Sequence, residues 1–390
     1  MRHFFIQKNS LLALLSIVLL SIASLVYLFT AGYNFIHKSA SSTSLTPTSS
    51  LPQLALTATS RLSPTGAACH LKGRDFQMGV VFPQWNPTGY GQSDTKWLTG
   101  IQNIRPQSGA CWIEMPILFY QNSLTSTTVT TGPSTPTIAS LTYGIQVAHA
   151  LGYHVFVTNL LTVSGPVAWS GKISFQTFQQ EQQWFDSYWQ TIQPYVTAAA
   201  QAGAEQLAIG TEYEWLQQFA PDILWNELIA HLRSVFPGTL TYDMNWTSLQ
   251  DSPRTWMRNS NLKMIGVSAY LPVIDTPSRI APEQMPPLWK NRVQRALDLF
   301  AIELGKPIFI SEIGYRDSAD ALYHSWETSS SAPTDPEEQA AACDAALVNV
   351  IPDPHIFGIF FWGWDDVGQF RLSGQPAVTV LHTRFTALQT

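Results

Sequence analysis

Two glutamates close two apolar runs of the same kind: Glu212 ends "LAIGTE" and Glu312 ends "IFISE". A charged group at the end of an apolar strand has to be solvated, paired or used. A single one would be an ordinary surface glutamate held by Arg or Lys; two in equivalent positions suggest chemistry that needs a pair. Cleavage of a glycosidic bond is such chemistry. One carboxyl protonates the departing oxygen while the other attacks, or activates water, on the opposite face of the sugar. Sugars also need flat apolar platforms, because a pyranose ring packs its C–H face on an aromatic ring while its hydroxyls are hydrogen-bonded around it. Trp362, in "FGIFFWGWDD" (357–366), stands where an apolar run gives way to two aspartates and would floor such a subsite, with Trp364 following into the loop. Glu114, inside another apolar run, reads as half of a structural ion pair. Glu214 opens the next segment and points elsewhere.

Eight short β-rich runs supply a frame for this pair: 76–82, 111–119, 154–161, 206–212, 239–246, 263–270, 307–312 and 356–362. Helical patterns lie between them, at 185–203, 224–238 and 291–305, with apolar residues three and four apart and a glycine at the end. Eight strands alternating with helices predict a (β/α)8 TIM barrel, whose chemistry sits at the C-terminal ends of the strands. Side chains alternate along a strand, so Ala208, Gly210 and Glu212 are expected on one face, as are Ile308, Ile310 and Glu312. A doubly wound open sheet is the alternative, but "GYGQSD" (89–94) lacks the third glycine of a dinucleotide fingerprint and no Walker loop exists.

Only 12% of the 390 residues are charged and the net charge is −6 with no basic block, which argues against nucleic acid as a partner. Aromatics reach 12%, with 14 Trp, a composition suited to neutral, hydroxyl-rich ligands. The nine His are scattered and no Cys pair has ligand spacing, so no metal or other cofactor is implied. His149 and His154 read as structural. Cys69 and Cys111 could form a disulfide, three buried thiols being the other reading.

The first part of the chain stands apart. Residues 1–10 carry Arg2 and Lys8, and 11–30 are twenty residues without a charge, long enough to span a bilayer. They predict a transmembrane signal anchor with a cytoplasmic N-terminus; cleavage of a signal and secretion is the alternative. Residues 31–69 are rich in Ser, Thr and Pro and read as a disordered linker. The catalytic domain, 70–390, is then expected outside the cell membrane, as a monomer.

From about residue 76 onward the chain resembles glycoside hydrolase family 113, β-mannanase-like members of the clan A glycoside hydrolases. The pieces that carry the resemblance include "LFYQNSLTSTTV" (118–129), "AWSG" (168–171), "GAEQLAIGTEYEWL" (203–216), "LTYDMNW" (240–246), "IGVSAYLPV" (265–273), "FISEIGYR" (309–316) and "SGQPAVTVL" (373–381). The resemblance implies a retaining hydrolase of β-linked polysaccharide or oligosaccharide, with Glu212 as acid/base, Glu312 as nucleophile and Tyr270 bonded to the nucleophile. It implies a groove lined by Tyr120, Gln121, Asn159, Trp169, Asn245, Trp246, Tyr315 and Trp362. Two positions depart from the family's pattern and bear on which sugar is recognised: Ser268 replaces an acidic residue, and Asn159, expected to end the third strand, replaces His. "NWT" (245–247) is formally a glycosylation sequon, but Asn245 is read as a groove residue. A membrane-tethered barrel that binds polysaccharide without cutting it, or a transglycosylase of the same fold, are the alternatives.

Overall fold

The computed structural model describes residues 71–165 and 169–390. The apolar segment 11–30, the linker 31–69 and Cys69 lie outside the described residues. Among the described residues no helix is long and apolar enough to cross a membrane.

Among the described residues nine strands form one sheet: β1 (Gln77–Val81), β2 (Trp112–Gln121), β3 (Val129–Thr130), β4 (His154–Val163), β5 (Gln206–Thr211), β6 (Thr239–Asn245), β7 (Leu262–Ser268), β8 (Ile308–Ile313) and β9 (Ile356–Phe361). Eight of them run parallel in the order β1-β9-β8-β7-β6-β5-β4-β2, and pairing of β1 with β2 closes the ring. All eight expected strands are present. The two-residue β3, antiparallel to the end of β2, is too short to leave a periodic signal in the sequence. Strands covered on both faces read as continuous apolar runs, and β5 is buried at every position.

The interior of the barrel is filled by Val81, Phe156, Ala208, Phe309 and Phe360, one residue from each of five strands. The three phenylalanines meet edge to face at 5.3 to 5.9 Å. Gly79 makes this layer fit: a Cβ there would lie 2.1 Å from the Phe360 ring. Outside the strands the helices bury a second aromatic layer, with Trp225 stacked on Trp256 at 4.2 Å and Trp184 on Tyr188 at 5.1 Å. Six tryptophans, Trp364 among them, are almost fully buried. Much of the tryptophan content therefore serves packing, and Trp364, in the turn after β9 as expected, is buried in the core with its backbone N–H bonded to the Val81 carbonyl.

The helix expected over 185–203 begins earlier, at Phe178, and ends at Ala202. Thr177 caps it by accepting from Gln180 N, and Gly203 closes it in the left-handed region at φ 89°. The glutamine-rich first turns hid its start. The helix Asp222–Val235 corresponds to 224–238, and Arg295–Leu304, preceded by a π turn at Lys290–Gln294, corresponds to 291–305.

At the N-terminal end of the strands His149 and His154 flank Glu205 at 3.2 and 3.5 Å. Burial pushes this carboxyl up, but the two imidazoles and the Val155 N–H outweigh it and bring the pKa to about 2. Both histidines are structural. Cys111 is disulfide-bonded, and Cys343 is a buried free thiol.

Candidate active site

Both glutamates reach the C-terminal mouth, but neither does so by simple alternation. On β5 the pairing with β6 shifts register between Ala208 and Thr211. Ala208 faces the interior, whereas a Cβ on Gly210 would meet the rings of Tyr213 and Tyr242, and Tyr242 belongs to the outer layer against Trp225 and Trp256. Glu212 follows in the left-handed region, φ 57°, with its N–H bonded to Asp243 O at 2.8 Å. For a non-glycine residue this conformation costs roughly 1–2 kcal/mol and is concentrated at functional sites. On β8 it is Phe309, not Ile308 or Ile310, that fills the interior. Register shifts beyond Ile310 and opposite Ser268 then bring Glu312 to the mouth. The expected shared faces are thus replaced by two strand irregularities, which re-aim single side chains.

Each glutamate has its own partners. Trp169 donates its indole N–H to Glu212 Oε2 at 3.1 Å, and Asn245 donates to Oε1 at 3.0 Å. The Ser268 hydroxyl faces the same carboxylate without a regular hydrogen bond. The Tyr270 hydroxyl donates to Glu312 Oε1 at 2.7 Å. The two glutamate side chains are partly open to the mouth, while their carboxyl groups are enclosed by protein.

Electrostatics couples the pair. Burial raises the pKa of Glu212, opposed by Trp169, Ser268 and Asn245 and reinforced by the charge of Glu214. Burial and then the negative charge of Glu212 push Glu312 up to about 8, against the Tyr270 hydrogen bond. Both carboxyls are thus raised, Glu312 in part by the charge of Glu212.

Beneath them lie two further carboxyls. Glu114 on β2 and Asp243 on β6 are 3% and 1% exposed, and burial together with each other's or the glutamates' charge raises both pKa values well above the carboxylate range. Glu114 has no cation beside it among the described residues; its partner is the Thr158 hydroxyl, donating to Oε1 at 2.9 Å. In place of the ion pair expected for Glu114 stands a buried carboxyl hydrogen-bonded to a hydroxyl, its pKa raised by burial. Asp243 fits because position 266 is glycine, where a Cβ would lie 2.2 Å from Oδ1.

Of the expected groove residues, Trp169, Asn245, Trp246 and Trp362 come to the mouth. Trp362 packs on the barrel core and lies 6.4 Å from the half-exposed Trp85; a cis peptide joins it to Gly363. Asn245 donates its amide N–H to Glu212 and accepts from Thr247 N. Tyr120 is half-buried, its hydroxyl accepting from Ser134 N at 3.1 Å. Three others are buried and committed to the fold. Gln121 accepts from Trp184 and donates to Ser123 O, and Tyr315 accepts from Trp289 at 2.7 Å. Asn159, fully buried, donates to Ala208 O at 2.9 Å; β4 continues past it to Val163, so it sits a layer below the rim. Glu214, expected to point elsewhere, instead accepts from Thr247 Oγ1 at 2.5 Å and adds charge beside Glu212. Sequence reasoning missed the buried Asp243, which only the fold brings to the site.

A closed parallel barrel with a coupled glutamate pair at its C-terminal mouth, flanked by indoles, is the arrangement of the barrel glycoside hydrolases. The chain belongs to that class. More narrowly, it is a member of Glycoside Hydrolase Family 113, whose family profile matches residues 91–375. Solved structures agree in fold. A GH113 β-1,4-mannanase shares 19% identity at a TM-score of 0.68, covering 80% of this chain and 100% of its own. A GH113 β-mannanase from Alicyclobacillus acidocaldarius, in complex with ManMIm, shares 21% at a TM-score of 0.69, covering 81% and 98%. A GH2 β-galacturonidase from Eisenbergiella tayi, bound to galacturonate, is more distant, at 12% identity, a TM-score of 0.52 and coverage of 83% and 55%. No curated protein sequence matches the chain.

Proposed function

We propose that the protein is a retaining, β-mannanase-like hydrolase in which Glu212 is the acid/base and Glu312 the nucleophile. The observation that carries this reading is the coupled pair itself: two enclosed carboxyls, one fixed by two N–H donors and the other by a phenol. In the first step Glu312 attacks the anomeric carbon, the glycosidic C–O bond breaks, and Glu212 gives its proton to the departing oxygen. In the second, Glu212 takes a proton from water, which attacks the same carbon and releases Glu312. Such a pair is expected about 5 to 5.5 Å apart, leaving no room for an intervening water.

The proton has to be on Glu212 when attack begins, although burial and the charge of Glu212 raise Glu312 as well. Coupling reconciles the two. The charge of Glu212 is what raises Glu312 after burial, so protonation of Glu212 removes it and favours an ionised Glu312 held by Tyr270. Tyr270 is itself raised far above its ordinary value by burial and by Glu312, so it stays a phenol and a donor.

A barrel that only binds polysaccharide would have no use for a glutamate in the left-handed region or for a phenol committed to a second carboxyl. The protein's action on mannan, glucomannan, galactan, xylan and β-glucan tests the substrate class, with β-mannan expected. Proton NMR of the first product tests the mechanism: a β anomer is expected, and an α anomer appearing first would reject retention. Glu212→Ala should cleave activated aryl glycosides and be rescued by azide as a β-glycosyl azide, whereas Glu312→Ala should lose turnover outright.

A further inference from the structure

We propose that Asp298, Asp353 and His355 form a structural binding site for a divalent ion of the zinc class, at the end of the barrel opposite the two glutamates. Asp298 lies on the helix Arg295–Leu304, and Asp353 and His355 lie in the turn that leads into β9. One atom from each, two carboxylate oxygens and the imidazole Nδ1, fall within 4.8 Å of one another. His355 immediately precedes β9, and its carbonyl accepts from Ile308 N, at the start of β8, at 3.0 Å. The cluster therefore sits at the N-terminal end of the strands, away from the mouth.

The spacing suits a metal better than a hydrogen bond. His355 Nδ1 stands 3.5 Å from Asp298 Oδ1 and 3.6 Å from Asp353 Oδ1, too long for good hydrogen bonds. Zinc binds nitrogen and oxygen at about 2.0–2.2 Å, which in a tetrahedron sets neighbouring ligands about 3.3–3.6 Å apart. A site with one imidazole nitrogen and few oxygens falls short of the six to eight oxygens that calcium takes.

The oxygens of the cluster also lack donors. Asp298 Oδ1, and Gln294 Oε1 one helical turn before it, are enclosed by protein and accept no hydrogen bond. Buried acceptors are rarely left so, and a cation satisfies both beside the Asp353 side chain, which is only 2% exposed. Among the described residues no Lys or Arg forms an ion pair with either aspartate; Arg74, whose charge reaches Asp353, donates instead to Ile351 O at 2.8 Å. Gln294 donates through Nε2 to Asp353 Oδ2, the kind of outer contact that orients a metal-binding carboxylate. No spacing in the sequence discloses this set, because the helix and the turn are brought together only by closure of the barrel.

Metal content and melting temperature test the site without reference to catalysis. The full chain, purified in detergent and stripped with EDTA, is equilibrated with zinc chloride and gel-filtered. The wild type should retain one zinc ion per chain more than Asp298→Asn or His355→Ala. Zinc should raise its melting temperature by about 5 °C and leave both variants unmoved, and calcium should have neither effect. In EDTA Asp298→Asn should melt no lower than the wild type, because the substitution removes the repulsion between two carboxylates. Gln294→Ala, which keeps all three ligands, should weaken zinc binding about 10- to 100-fold, whereas His149→Ala, beside Glu205, should bind zinc as the wild type does. Zinc retained equally by the wild type and by both ligand variants would overturn the site. So would a wild type that retains none, and the two aspartates would then share a proton instead of a metal.

Discussion

Tyr270 and Glu312 are joined by a 2.7 Å hydrogen bond from phenol to carboxylate, the described side-chain hydrogen bond on that glutamate. A hydrogen bond to the charged form favours it, and this one opposes both burial and the charge of Glu212. Removing a hydrogen bond to a charged group costs roughly 1.5–3 kcal/mol, so Tyr270→Phe should lower kcat/KM by about 10- to 100-fold. It should also move the acid limb of the pH profile upward, because Glu312 then ionises less readily. A loss of activity with the limb unmoved would assign Tyr270 a packing role instead.

Coupling of the two glutamates predicts the reverse displacement in a second variant. Glu212→Gln removes the charge that, after burial, raises Glu312. With an aryl glycoside whose leaving group needs no acid, the remaining ionisation in kcat/KM should fall from about 8 toward the ordinary glutamate range. A profile that stays where it was would show that burial alone sets the value.

Stability should carry the mark of the buried carboxyls beneath the site. The pKa of Glu114 is raised in the folded protein, so the unfolded chain ionises first as pH rises. The contribution of this group is therefore fully present below the unfolded value, about 4.3, and is lost as pH climbs toward the folded value. Glu114→Gln keeps the shape and a donor but cannot ionise. Thermal denaturation should show variant and wild type nearly equal at pH 4, with the variant the more stable at pH 8. Equal or lower melting temperature at pH 8 would mean that Glu114 is ionised and paired after all.

For the N-terminal region, we propose that residues 11–30 anchor the chain and that 31–69 tether the barrel outside the cell membrane. Twenty residues without a charge suffice to cross a bilayer. The full chain should then sediment with membranes, and protease added outside should release an active barrel. A soluble, N-terminally shortened protein as the main species would favour cleavage and secretion.

The eight strands were legible in sequence because strands buried on both faces leave unbroken apolar runs, and the helices because buried stripes recur every three to four residues. The two glutamates were legible because a charge closing such a run is costly unless it has a use. Sequence patterns did not reveal how those glutamates face the mouth. Alternation predicts a face only while register holds, and β5 and β8 both lose register before Glu212 and Glu312. Nor could a tryptophan's surroundings be read from its neighbours in the chain: Trp362 ends at the mouth and Trp364, two residues on, in the core. The raised pKa values of Glu114 and Asp243, the pairing of Trp246 with Trp326, and the burial of Gln121, Asn159 and Tyr315 all depend on contacts between segments far apart in sequence. Burial and electrostatic coupling are properties of that assembled environment, so only the tertiary structure decides them.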